Sequence, residues 1–193
     1  MNFGQWRHYY RARFFQLLKK PDKAIAEYRL ALELNPVFAR AANCIAFVYA
    51  SSHQFREAEE SFREALRIKP DDASAWFNLG FTCEKLGERI KAIEAFQESV
   101  RINPRLDRAW FGMGLTCAAL GRHEEAAKAL EEAASLQPMN PHAWYYLGMA
   151  YHTLHNPDRV KEIILHLHRF DPKMSHRLLT DTQRSDLSYL VGT

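Results

Sequence analysis

The chain has 193 residues, of which 47% are apolar and 25% are charged, with only eight glycines and eight prolines. This composition is typical of a folded globular protein and excludes a disordered or fibrous one. The net charge is +3, and the basic excess is concentrated in residues 1–40, where eight Lys/Arg stand against three Asp/Glu. Because nucleic-acid binders carry a sustained basic face, we expect no nucleic-acid partner.

The sequence also lacks the features of membrane and secreted proteins. No stretch approaches the roughly 18 apolar residues that a membrane span needs, and the N-terminal stretch MNFGQWRHYYRARFF has no uninterrupted apolar segment. We therefore expect no membrane insertion and a cytoplasmic location. Cys44, Cys83 and Cys117 form no Cys-x-x-Cys pair, and an odd number of cysteines favours a reducing compartment.

Five prolines recur at a fixed spacing and define an internal repeat. Pro36, Pro70, Pro104, Pro138 and Pro172 lie 34 residues apart, and a period of this length indicates a repeat architecture. With each proline at position 32, the repeats are 5–38, 39–72, 73–106, 107–140 and 141–174.

Each repeat is predicted to begin with a helix, here called helix A. Apolar or small residues recur at positions 4, 7, 8 and 11, which is the period of one helical face. Trp76, Trp110 and Trp144 occupy position 4, and Cys83 and Cys117 occupy position 11; we interpret all five as core residues. Position 8 holds only small residues: Ala12, Ala46, Gly80, Gly114 and Gly148.

A turn and a second helix, helix B, are predicted next. Position 15 is occupied by Gly87 in repeat 3 and by Gly121 in repeat 4, and glycine suits the left-handed conformation that often ends a helix. His53 and His155 occupy the same position in repeats 2 and 5, and histidine tolerates this conformation better than most other residues. Helix B has apolar or small residues at positions 20, 24 and 27, and we expect positions 8 and 20 to face each other. The proline at position 32 ends helix B, because it cannot donate a backbone hydrogen bond.

These columns resemble the tetratricopeptide repeat (TPR), whose pattern is W-x2-L-G-x2-Y, then A-x3-F-x2-A and P. The stretches AWFNLG (75–80) and AWYYLG (143–148) match it closely, and the resemblance covers residues 5–174. It implies an all-α fold, a right-handed α-solenoid of helix–turn–helix repeats in which helix A lines a concave face. Repeats 1 and 5 depart from the pattern, as terminal repeats usually do.

The C-terminal residues 175–193 follow the last repeat. We expect a short capping turn or helix over repeat 5, within about residues 174–180, and then a loosely held tail. The domain prediction is therefore a single TPR array over residues 1–174, with this capping segment behind it.

The TPR resemblance also predicts where a partner would bind. Columns of helix A that packing does not use carry aromatic and polar side chains, and an apolar stripe on a concave face is typical of a partner site. For Phe77, Phe81 and Phe111, packing between neighbouring repeats is the alternative to partner binding. The predicted peptide-binding residues are Asn43, Phe47, Phe77, Asn78, Phe81, Arg108, Phe111, Tyr145 and Tyr146.

Other kinds of site are not favoured by the sequence. TPR co-chaperones hold a chaperone carboxylate with a Lys/Asn/Arg clamp, and of that clamp only Asn78 is present, with Arg108 as a charge-preserving substitute. The late histidines have poor metal-ligand spacing, since His166 and His168 point to different sides of a helix. We expect no metal, no cofactor and no catalytic residues.

The leading hypothesis is an adaptor that binds a peptide or helix of a partner protein in its concave groove. The alternative is a self-assembling scaffold, a homo-oligomer joined through its terminal segments. A TPR co-chaperone or the regulatory arm of an enzyme complex is a less favoured hypothesis.

Overall fold

The computed structural model describes residues 3–184 and 186–187, and in these residues the fold is all-α. The helices are short and follow one another through tight turns. Their bounds are α1 Phe3–Leu17, α2 Pro21–Leu34, α3 Ala39–Ser51, α4 Phe55–Ile68, α5 Ala73–Lys85, α6 Arg89–Ile102, α7 Asp107–Ala119, α8 His123–Leu136, α9 Pro141–Thr153, α10 Pro157–His168 and α11 Pro172–Asp181. The predicted tandem helix–turn–helix repeats are confirmed, because α1 to α10 form five A/B pairs.

The chain divides into two compact units. Unit 1 ends at Asn103 and contains α1 to α6, and unit 2 begins at Pro104 and contains α7 to α11. Within each unit, every helix packs against its partner in the same repeat, and helix B also packs against helix A of the next repeat. The core of unit 1 includes Tyr28 and Phe62, and the core of unit 2 includes Leu130 and Ile164; all four are almost fully buried.

The turn inside each repeat has the predicted backbone conformation at position 15. Gly87 and Gly121 have φ values of +77° and +74°, and His53 and His155 have 60° and 54°. Lys19 takes the same conformation in repeat 1, with φ 54°, although no sequence feature marks it. Lysine has no special preference for this region, so the packing of α1 on α2 sets the conformation there.

The small residues at position 8 are where the helices approach most closely. A methyl group built on Gly80 would lie 2.7 Å from the Phe96 ring, and one on Gly114 would lie 2.6 Å from Leu130 Cγ. Phe96 and Leu130 occupy position 24, so position 8 faces position 24 more closely than position 20. The expected pairing of positions 8 and 20 is therefore wrong. Of the three atoms nearest to the methyl group on Gly114, only the Ala126 carbonyl oxygen, 3.3 Å away, belongs to position 20.

The end of repeat 5 departs from the other repeats. α10 ends at His168, and Pro172 begins α11 instead of closing the turn after helix B. The Asp171 side chain accepts a hydrogen bond from the Met174 amide and so caps α11. Leu178 of α11 reaches Gly148, where a methyl group would lie 2.5 Å from its Cδ2. α11 packs against both α9 and α10, and Leu178 takes the place beside Gly148 that position 24 of helix B takes beside Gly80 and Gly114. The expectation of a loosely held tail after about residue 180 is wrong for the described part of that segment, because Thr182 and Leu187 are buried and Leu187 joins the core of unit 2. Residues 188–193 lie outside the described residues.

Candidate functional site

Three of the predicted binding residues meet in one cavity of unit 1. Asn43 and Phe47 on α3 and Asn78 on α5 line a cavity of about 470 Å³, here called the unit-1 groove. Arg13 of α1 and Asp72, which precedes α5, also line it, although the sequence did not single them out. Asp72 could have been found from its place immediately before a predicted helix, where aspartate is a favoured N-cap.

The amide of Asn43, which lines this groove, is held in a fixed orientation. Asp72 Oδ1 accepts a hydrogen bond from the Ala75 amide at 3.1 Å and caps α5, while Asp72 Oδ2 accepts one from Asn43 Nδ2, also at 3.1 Å. Asn43 Oδ1 is buried and has no hydrogen-bond partner within the described residues. An acceptor that is buried without a donor is costly, so this oxygen is suited to a donor from a ligand.

The aromatic side chains of unit 1 divide into exposed and packed ones. Phe47 is 50% exposed and Phe81 is 43% exposed, and the Lys85 ammonium lies 5.0 Å from the centre of the Phe81 ring. Phe77 is half-buried, with its ring centre 6.0 Å from that of Phe96. Phe47 and Phe81 are therefore available to a partner, whereas Phe77 largely packs within its own repeat.

The predicted residues of unit 2 are less accessible. Tyr145 is buried; its hydroxyl donates to Asp181 Oδ2 at 2.6 Å, and the Arg177 guanidinium lies 4.7 Å from its ring centre. Burial, followed by the bond to Asp181, raises the pKa of Tyr145. Tyr145 therefore joins α9 to α11. Tyr146 is 39% exposed and packs edge-on against the half-buried Phe111 at 5.9 Å. Arg108 is exposed on α7.

The three tryptophans at position 4 are half-buried and not fully inside the core, although Trp110 and Trp144 pack against clusters of buried core residues. Each indole N–H donates to a backbone carbonyl six residues earlier, at 2.8 Å in all three cases. The acceptors are the position-32 prolines that precede them: Pro70 for Trp76, Pro104 for Trp110 and Pro138 for Trp144. These side chains therefore fix the turn between repeats, which leaves them a structural role.

Cys83 and Cys117 are fully buried, as the sequence predicted. Cys83 lies beside Glu59 and Glu88, and the three side chains are close enough together to hold a metal ion. However, burial raises the pKa of the Cys83 thiol to about 11, which disfavours the thiolate that a metal needs. Lys91 Nζ lies 2.7 Å from Glu88 and 3.7 Å from Glu59. Because these carboxylates already have a cation beside them, we interpret the cluster as an ion-pair network.

Comparisons with known proteins agree with this architecture. The family model of the middle TPR-like domain of cilia and flagella-associated protein 70 matches residues 43–169, and a tetratricopeptide repeat model matches residues 8–38. A search of curated proteins gave no significant match. None of the helices in the described part of the chain is long and apolar enough to cross a membrane.

Several solved structures have the same fold at low sequence identity. YrrB, described as a TPR protein with an unusual peptide-binding site, has 24% identity and a TM-score of 0.77, over 92% of this chain and 90% of that one. MamA from Desulfovibrio magneticus RS-1 has 16% identity and a TM-score of 0.75, and the match covers 97% of this chain and 99% of that chain. PilF from Pseudomonas aeruginosa has 17% identity and a TM-score of 0.74, and the match covers 100% of this chain and 94% of that chain. At these identities the likeness shows the fold alone.

Proposed function

Because the chain belongs to the tetratricopeptide-repeat proteins, in the family of the middle TPR-like domain of cilia and flagella-associated protein 70, we propose that it is a scaffold that binds an extended segment of another protein in the unit-1 groove. The observation that carries this proposal is a cavity of about 470 Å³ lined by Asn43, Phe47 and Asn78, in which Asn43 has a buried side-chain oxygen without a donor among the described residues. Binding is the whole of the proposed activity, and we assign no catalytic step.

The polar part of the groove suits a peptide main chain. A backbone N–H of the segment would donate to Asn43 Oδ1, whose amide group is already fixed by Asp72. Supplying that donor removes the penalty of an unsatisfied buried acceptor, which is about 1–3 kcal/mol. Asn78 on the neighbouring helix offers a second amide for the same main chain.

The apolar part of the groove suits a side chain of the same segment. Phe47 lines the cavity and is half-exposed, and Phe81 lies one turn beyond Asn78 on α5. Burying one such ring contributes roughly 1.5–3 kcal/mol. Two rings and one hydrogen bond would support micromolar binding after the segment has lost its freedom. The description of YrrB as a peptide-binding TPR protein supports this role by fold alone.

The test is a selection of peptides from a random library on the whole chain, followed by calorimetry with the selected peptide. We expect Phe47→Ala combined with Phe81→Ala to weaken binding at least about tenfold, because both rings lose their contacts. Ile90→Ala is the matched control, since Ile90 is 56% exposed on α6 and lies outside the groove. Selection of no peptide, or equal binding by the groove variant, would contradict the proposal.

A further inference from the structure

The outer face of α1 differs from the same face of later A helices. In α3, α5 and α9, positions 3, 7 and 10 are buried, and each of these helices packs against the helix before it. In α3, for example, Ala41, Ile45 and Val48 share one apolar cluster with Ile25 and Tyr28 of α2. The face is therefore the one by which a helix A meets a preceding helix B.

In α1 these three positions carry large side chains that none of the described helices covers. They are Arg7, Arg11 and Phe14; both arginines are exposed, and Phe14 is 58% exposed. Tyr10 lies between them and is 64% exposed. Together with Phe15 they line a shallow cavity of about 520 Å³, which we call the α1 outer face. α1 is the first helix of the described residues, so nothing described precedes it.

The apolar part of this face extends towards the start of the helix. Phe3 is 78% exposed, and with Tyr10 and Phe14 it recurs at helical spacing. A helix face that meets only water is expected to be polar, as at the ends of soluble repeat arrays. A run of exposed aromatic residues on one helix face instead indicates contact with another protein.

The charge of the α1 outer face is of one sign. Residues 3–20 contain no Asp or Glu, and the two charged residues that line the cavity are Arg7 and Arg11. Arg13 lines the unit-1 groove instead, and Lys19 and Lys20 follow the end of the helix. Arg11 is partly engaged, since its Nη2 lies 3.0 Å from Glu27 Oε1. Arg7 pairs with no carboxylate among the described residues. The face therefore offers unneutralised positive charge beside exposed aromatic rings.

We propose that the α1 outer face is a docking site for an acidic amphipathic helix of a partner protein. The partner helix takes the place that helix B of a preceding repeat would take, so its apolar side chains pack on Tyr10 and Phe14. Its carboxylates pair with Arg7 and Arg11, which line the same cavity. This site is separate from the unit-1 groove, which takes an extended segment.

The experiment uses the whole chain and a labelled, covalently stapled helical peptide of about four turns, with leucine and alanine on one face and glutamate on the other. We expect saturable binding by fluorescence anisotropy, and much weaker binding of the same peptide with lysine in place of glutamate. Tyr10→Ala with Phe14→Ala should weaken binding at least about tenfold, since two anchoring rings are lost. Arg7→Glu should weaken it about three- to tenfold and reduce its dependence on salt.

Controls separate loss of the site from loss of the fold. Ile90→Ala, an exposed apolar residue of α6, should bind the acidic peptide normally. Each α1 variant should keep the circular dichroism and thermal midpoint of the parent, because the replaced side chains are exposed. Phe47→Ala with Phe81→Ala should leave the acidic-helix affinity unchanged, since Phe47 lines the unit-1 groove, Phe81 lies on α5, and neither lines the α1 outer face.

Three outcomes would overturn the proposal. One is the absence of saturable binding of the acidic peptide. Another is that the parent chain binds vesicles of anionic lipid but not the acidic peptide, and that the Tyr10→Ala, Phe14→Ala variant loses the vesicle binding. The α1 outer face would then be a contact with a membrane surface. The third is a rise in mass with concentration, measured by light scattering and abolished by the same variant, which would mean that a second copy occupies the face.

Discussion

At the scale of single residues, the repeat depends on side chains that are missing or very small. A methyl group on Gly114 would lie 2.6 Å from Leu130 Cγ and 3.0 Å from its Cδ2, and Leu130 is fully buried. Real side chains do not approach each other so closely, so either the leucine or the helix must move. Gly80 and Gly148 are under the same constraint against Phe96 and Leu178.

We predict that Gly114→Ala lowers the free energy of unfolding by roughly 1–3 kcal/mol, because the added methyl group overpacks the contact with Leu130. This is the net result even though alanine favours a helix by up to about 1 kcal/mol over glycine. Urea denaturation followed by circular dichroism measures the change.

The paired change provides the control for Gly114→Ala. Leu130→Ala alone should be destabilising, but combined with Gly114→Ala it should cost less than the sum of the two single changes by about 1 kcal/mol. Strict additivity, or a stabilising effect of Gly114→Ala, would show that this steric account is wrong.

At the scale of the helical elements, α11 closes the open side of α9. Ser175 Oγ donates to the Ile164 carbonyl of α10 at 3.0 Å, and Tyr145 of α9 donates to Asp181. Leu178 is fully buried against Gly148. The last repeat is therefore stabilised by an element that is not itself a complete repeat, which is how terminal helices of repeat arrays act as caps.

We predict that Leu178→Ala destabilises unit 2 by about 2–5 kcal/mol, because it removes a fully buried side chain and leaves a cavity beside α9. Hydrogen exchange should show faster exchange of the α9 and α10 amides. His176→Ala is the control on the same helix: His176 is exposed, so its removal should change stability by less than about 0.5 kcal/mol. Equal effects of the two changes would contradict the capping role.

At the scale of the whole molecule, successive helices within each unit stack on their neighbours, and two kinds of surface are left open. The unit-1 groove offers amides and the exposed Phe47, with the exposed Phe81 one turn beyond Asn78 on α5, and the α1 outer face offers arginines beside aromatic rings. The groove suits an extended segment and the face suits a helix. Both proposals assign these surfaces to other proteins rather than to a second copy of the chain.

We predict that the isolated chain has the mass of a single copy by light scattering at all accessible concentrations. The Tyr10→Ala, Phe14→Ala variant should give the same mass as the parent, because we assign the α1 outer face to a partner protein and not to self-association. Ordered polymers that disappear on deletion of residues 181–193 would contradict the adaptor and favour the self-assembling scaffold.

The sequence by itself determined the repeat, because its signals are local. A proline every 34 residues ends helix B, and glycine or histidine at position 15 accepts the left-handed conformation that the turn needs. Small residues at position 8 indicate close helix packing, since no large side chain fits there. Each of these constraints acts within one repeat, so the hairpins could be predicted without any knowledge of their neighbours.

Only the tertiary structure decided which of the predicted binding residues are accessible. Phe47 and Phe81 are exposed, whereas Tyr145 lies beneath α11, and its hydroxyl bonds to a residue 36 positions later. Asn43 is oriented by Asp72, which is 29 residues away and also caps α5. Exposure and orientation depend on the helices that pack against a column, and the periodicity that defines the column contains no information about them.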